Sequence, residues 1–276
     1  MALNFNFESL GIRLPQRNKN AHKGSHGKVL VIAGSEGMGG AGILASEASL
    51  YCGSGLVTLF THKSNVEASL VRNPEIMALG IQDRIESPDN IDVFLLGPGF
   101  TNDKWSEIAY ECLSTNTENA YLILDAGALY FLSEPKKISV SKGAILTPHP
   151  GEAAKLLNTT IENIQANRES SAQKIAIKYD AEAVILKGHN TVVYMKNTDE
   201  TFLCEDGGPE LASAGTGDVL AGILSALLAQ GLSIMDACLL AVAVHSKAGI
   251  NFKEEVGEIG LNASALIMLS RKMLNQ

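Results

Sequence analysis

The chain has 276 residues, 46% hydrophobic and 19% charged, so it can build a large core and is not expected to be disordered. A net charge of −8 with no basic block argues against nucleic acid or an anionic membrane as the main partner. Any phosphate site must then be local, made of backbone N–H groups and a few lysines.

The segment before residue 24 is too polar for a signal peptide, and no stretch approaches about 18 uninterrupted apolar residues. The four cysteines (Cys52, Cys112, Cys204, Cys238) are far apart and form no CxxC pair, as expected of reduced thiols. A cytoplasmic protein is expected. "KVLVIAG" (28–34) reads as a buried strand and "GILASEASLYCG" (42–53) as a helix. Strands follow at 56–62, 92–99 and 120–127, and another over 143–152 runs into a Pro-rich loop. Helices are predicted at 152–158 and 161–179, then strands at 183–188 and 191–195 joined by a tight "GHN" turn. Helices at 217–230, 233–252 and 262–274 close the series. Continuous apolar strands separated by helices predict an α/β fold, a mostly parallel sheet covered on both faces. With no linker or repeat, a single domain over 1–276 is expected. Ligands of such sheets bind beyond the carboxyl ends of the strands, so the loops there carry the chemistry.

The first of these loops contains Gly37, Gly39 and Gly42 in G-x-G-x-x-G spacing, after a strand and before a helix. A Rossmann oxidoreductase is therefore a rival reading. Against it, the motif starts three residues after Gly34, and the next strand ends in Thr61-His62-Lys63 with no acid for a ribose. The glycines serve either close approach to a ligand or plain turn chemistry. "HKGSHGKV" is no Walker A loop: His22 replaces the leading glycine and Val29 the metal-binding hydroxyl. His22 and His26 lack a carboxylate to complete a metal set. "GPGF" (97–100) is a turn or a pocket wall, and Asp125 a cap or a metal-proximal acid. In "TPHPGE", two prolines stiffen a loop that can position His149, and Glu152 suits the first turn of a helix. Lys187, in "LKGHNT", is a snorkelling strand end or a phosphate partner.

"SAGTGDVLAGILSALLAQG" (213–231) is the most informative stretch. Ala214, Gly215, Thr216 and Gly217 offer consecutive N–H groups with little side-chain bulk before an apolar helix. The first N–H groups of a helix lack internal partners and lie at the positive end of its dipole, which makes an anion hole. Asp218 falls in the first turn, placed to accept the proton of an attacking hydroxyl. The dipole is expected to keep its carboxylate ionised.

Gly-Thr-Gly-Asp before an apolar helix resembles the anion hole and catalytic aspartate of ribokinase-like proteins. Together with "KGSHGKVLVIAGSEGMGGAG", "GPGF", "LTPHPGE" and "LKG" followed by Thr191, it is similar to one branch, the ADP- or ATP-dependent NAD(P)H-hydrate dehydratases. The resemblance runs from about residue 23 onward. It implies phosphorylation of the ring hydroxyl of hydrated NADH or NADPH by ADP or ATP, with Mg2+, followed by phosphate elimination. Carried over, Lys187, Gly188, His189, Asn190, Thr191 and Gly217 would contact the nucleotide. Asp218 would face the hydrate, and Ala41, Gly99, Phe100, His149 and Gly151 would line its pocket. Gly127 stands where many relatives have an acid, so the resemblance carries no metal role over to that loop and assigns no metal ligand. The resemblance implies a homotetramer and a single activity, without the epimerase domain fused to many relatives. A hydroxyethylthiazole-type vitamin kinase and a non-catalytic nucleotide sensor are further rivals.

Overall fold

The computed structural model describes residues 2–82, 88–111, 120–134 and 144–276. Cys112 and the first residue of the strand expected over 143–152 lie outside them. The amino-terminal half runs β1 (Leu3–Phe5), α1 (Phe7–Leu10), β2 (Lys28–Ile32), α2 (Gly39–Tyr51), β3 (Leu56–His62), α3 (Val66–Arg72), β4 (Met77–Ile81), β5 (Val93–Leu96), α4 (Lys104–Glu111), β6 (Tyr121–Leu124) and α5 (Gly127–Ser133). It continues through β7 (Ala144–Leu146), α6 (Pro150–Leu157), α7 (Ile161–Ala166), α8 (Arg168–Tyr179), β8 (Ala183–Leu186), β9 (Val192–Met195), β10 (Glu200–Cys204), α9 (Thr216–Ala229), α10 (Ile234–Glu255) and α11 (Ala263–Met273).

Among the described residues the strands form one sheet in the order β1-β10-β9-β8-β7-β6-β5-β2-β3-β4. Every neighbouring pair is parallel except the two made by β9, which runs antiparallel to β8 and β10. Side chains alternate across the sheet. Val29 and Val31 enter a core with α2, α9, α10 and α11, whereas Leu30 and Ile32 enter a second core with α4, α5, α6 and α8. The expected two-faced α/β layering is thus the observed one. No helix among the described residues is long and apolar enough to cross a membrane. Cys52, Cys204 and Cys238 are free and buried.

Some boundaries differ from the sequence reading. The helix expected over 161–179 is two helices, because Asn167 leaves helical geometry at φ −138° and ψ 45°. The connection between β8 and β9 is a five-residue bend over 187–191 rather than a tight turn, since Leu186 pairs with Val192. The helix expected from residue 42 starts at Gly39, where a Cβ would stand 2.6 Å from the Asn65 side chain.

The strand order reverses between β2 and β5, and the loops after these strands are joined there, the Gly34 N–H donating to the Pro98 carbonyl at 2.8 Å and the Ser35 N–H to the Gly99 carbonyl at 3.0 Å. α9 packs in the same core as α2, and its seat on α2 depends on Gly222. A Cβ there would stand 2.3 Å from the Ala45 carbonyl oxygen and 2.6 Å from the Ala48 Cβ. Gly222→Ala is therefore expected to force the two helices apart and to lower stability by about 2–3 kcal/mol in urea unfolding.

Candidate active site

Three strands deliver polar residues to one end of the sheet. Asp125 follows β6, Thr147 and His149 follow β7, and Lys187 follows β8, while the loop after β5 supplies Gly97–Phe100. Asp125 is only 1% exposed. The Lys187 Nζ donates to its Oδ1 at 2.6 Å and the Thr147 Oγ1 at 2.7 Å. Asp125 is therefore neither a helix cap nor a free carboxylate but the anchor of a lysine. A Cβ built on Gly217 would lie 3.5 Å from the Lys187 Nζ, so the ammonium sits against the first turn of α9.

That first turn is open. No acceptor takes the N–H groups of Ala214, Gly215, Thr216 or Gly217 among the described residues, and α9 has no side-chain cap. Gly215 adopts φ +89°, a conformation that favours glycine. The Thr216 hydroxyl points back into the protein, donating to the carbonyls of Ser213 at 2.9 Å and Leu211 at 3.0 Å. His245 of α10 donates from Nε2 to the Thr216 carbonyl at 2.9 Å. Burial pushes this imidazole down to about 4, so it is a neutral strut at neutral pH.

Asp218 occupies the third helical position, as expected, but its charge state is not the expected one. Burial, then the nearby Asp125 and Glu152 carboxylates, push it up to about 7, with Lys187 opposing. Loss of water outweighs the helix dipole here. The result is a carboxylate with a proton affinity suited to general base catalysis at neutral pH.

Two cavities flank this cluster. One, of about 480 Å³, is lined by Lys187, Gly188, His189, Thr191, Thr216 and Gly217, with the 206–212 loop and His245 opposite. The other, of about 490 Å³, is lined by Phe100, His149, Gly151 and Glu152, with Thr101, Tyr130 and Lys155. The two share no lining residue. Asn190 lies outside the first cavity; its carbonyl accepts from Arg168. Ala41 and Gly99 meet each other, a Cβ on Gly99 standing 3.0 Å from that of Ala41, and neither lines either cavity.

His149 is a cap as well as a cavity wall. Its Nδ1 accepts from the N–H of Gly151 at 2.9 Å and of Glu152 at 3.3 Å, and the Glu152 carboxylate accepts from the His149 N–H at 2.7 Å. Glu152 is pushed up to about 7 by burial.

The sequence reading missed Arg168, whose Nη2 donates to the carbonyls of Leu186, Lys187 and Asn190 and so ties the 187–191 bend. No local signal marks it, because its partners lie in a different hairpin. The 206–212 wall was missed for want of periodicity.

A model of the NAD(P)H-hydrate dehydratase family matches residues 29–272. The chain is 38% identical over 268 residues to a bifunctional NAD(P)H-hydrate repair enzyme of Vibrio cholerae, covering 95% of this chain and 52% of that protein. It thus spans about half the length of such bifunctional relatives. It is 35% identical to an ADP-dependent (S)-NAD(P)H-hydrate dehydratase of Neisseria meningitidis, over 94% of this chain and 89% of the relative. Its structure is similar to that of an ADP/ATP-dependent NAD(P)H-hydrate dehydratase from Bacillus subtilis co-crystallised with ATP/Mg2+, with a TM-score of 0.87, 26% identity and coverage of 99% and 98%. The ribokinase-like fold expected from the sequence is the observed one. With an uncapped helix start beside a buried lysine and the motifs matched along most of its length, this chain belongs to the NAD(P)H-hydrate dehydratase family.

Proposed function

We propose that the chain forms a single dehydratase domain that restores hydrated NADH or NADPH at the expense of ADP or ATP. The observation that carries this reading is the open N-terminus of α9, which with Lys187 walls the first cavity, while Asp218 in the same turn feels the charge of Glu152, a wall of the second. The nucleotide occupies the cavity of Lys187, Gly188, His189 and Thr191, with Asn190 supporting the bend. Its terminal phosphoryl group rests on the N–H groups of Ala214, Gly215, Thr216 and Gly217. The damaged ring enters the cavity of Phe100, His149 and Gly151, with Ala41 and Gly99 shaping its back. Asp218 accepts the proton as the ring hydroxyl attacks phosphorus, and Lys187 neutralises charge on the migrating group. Phosphorylation replaces hydroxide with phosphate as the leaving group.

Among the described residues no three His, Cys, Asp or Glu side chains gather as a cation cage, and Asp125 is already paired with an ammonium. The protein's own groups do not fit a resident cation; magnesium belongs to the nucleotide substrate. Buried free thiols suit the cytoplasm. A homotetramer is supported by the exposed apolar side chains of Met77 and Leu79 on the edge strand β4 and of Leu70 and Val71 on α3 before it.

The test supplies hydrated NADH, magnesium and either nucleotide and follows the absorbance of the reduced nicotinamide. Recovery that requires nucleotide is expected. A stable phosphorylated product would favour a vitamin kinase, and tight nucleotide binding without turnover a sensor.

A further inference from the structure

Restoring the hydrate takes two deprotonations, and Asp218 accounts for one. Water added across the ring double bond conjugated to nitrogen leaves a hydroxyl on the carbon beside nitrogen and a hydrogen on the neighbouring carbon. Asp218 takes the O–H proton during phosphoryl transfer. The ring nitrogen lone pair then expels phosphate, which departs with the C–O electron pair and leaves an iminium. The neighbouring C–H bond must still break, its electron pair becoming the restored double bond and its proton going to a base. That base has to stand on the ring side.

Four titratable side chains line the ring-side cavity: Tyr130, His149, Glu152 and Lys155. Lys155 is an ammonium at neutral pH and has no lone pair to offer. The His149 Nδ1 lone pair is engaged by two backbone N–H groups, so its proton sits on Nε2, 3.3 Å from the Glu152 Oε1. Tyr130, as a neutral phenol, is a weak base. Glu152 remains. Its Oε2 is fixed by the His149 N–H at 2.7 Å, and both oxygens keep spare acceptor capacity. We propose that Glu152 is a second catalytic base, which removes the ring C–H proton once phosphate has left. This rests on the dehydratase reading above. The elevated proton affinity of Glu152 agrees with the role, and the proton then passes to water.

Glu152→Gln keeps the acceptor for the His149 N–H, and Gln is a normal partner in this capping arrangement. The experiment measures phosphate released per dinucleotide restored, with hydrated NADH and ATP. In the wild type the ratio is one. In the variant the stranded iminium recaptures water and returns to hydrate, so the ratio is expected to exceed about ten while phosphate release slows less than about tenfold. A ratio that stays at one, at any rate, overturns the proposal. Should the variant fail to fold, the wild type is given hydrate prepared in D2O, deuterated on the ring carbon beside the hydroxyl-bearing one. Loss of hydrogen from a single face of that carbon is expected; loss from both faces overturns the assignment. Wild-type protein that releases no phosphate in response to hydrate would instead overturn the dehydratase reading, and this base with it.

Discussion

Asp218→Asn is expected to lower turnover by about 10³-fold while leaving the nucleotide bound, because it removes the proton acceptor and leaves the N–H groups of 214–217 in place. The same substitution should stabilise the unliganded protein. Asp218 is raised in the folded state from the ordinary 3.8 to about 7. A group with a raised folded value favours folding when protonated, so that contribution is present below the ordinary value and is lost as pH climbs through about 7. Asparagine never ionises and avoids the loss. Its advantage should reach on the order of 2 kcal/mol at pH 8, a few degrees in Tm, and vanish near pH 4. In the wild type, kcat should rise with pH along a limb centred near 7, since the ionised carboxylate is the active form. A variant as active as wild type, or an acid limb centred near 4, would sink the assignment.

Lys187→Met is expected to cost both activity and stability. The ammonium is the donor nearest the anion hole, and losing such a donor lowers kcat by about 100-fold. It also leaves the buried Asp125 carboxylate with Thr147 alone, which should cost about 3 kcal/mol at pH 8. Because Lys187 lowers the Asp218 value, the acid limb of the residual activity should move upward. Adding Asp125→Asn removes the stranded charge, so stability should recover in denaturant titrations while turnover does not. Recovery of both together would mean that Lys187 serves only the fold.

The sheet and α9 were legible because their signals are local. Buried parallel strands are continuous apolar runs, and glycines bracketing Thr216 before an apolar helix mark an open N-terminus. β4 and β10 escaped notice as short strands near the sheet's margins, with side chains that are mostly exposed or half-buried. The Lys187–Asp125 pair joins residues 62 apart in the chain, so each alone supported a bland reading. Asp218 illustrates a deeper limit. Its position follows from the motif, but its ionisation follows from burial and from acids on other elements, which no window of sequence contains. His149 was expected to touch a ligand or stiffen a turn, and its ring both caps α6 and lines the second cavity.

The two cavities have no wall in common. They are nonetheless linked by charge, since Lys187 of the first cavity acts on His149 and Glu152 of the second. Under the proposed assignment, a change in the 206–212 loop would reshape the phosphoryl donor's wall without replacing a side chain that lines the other cavity.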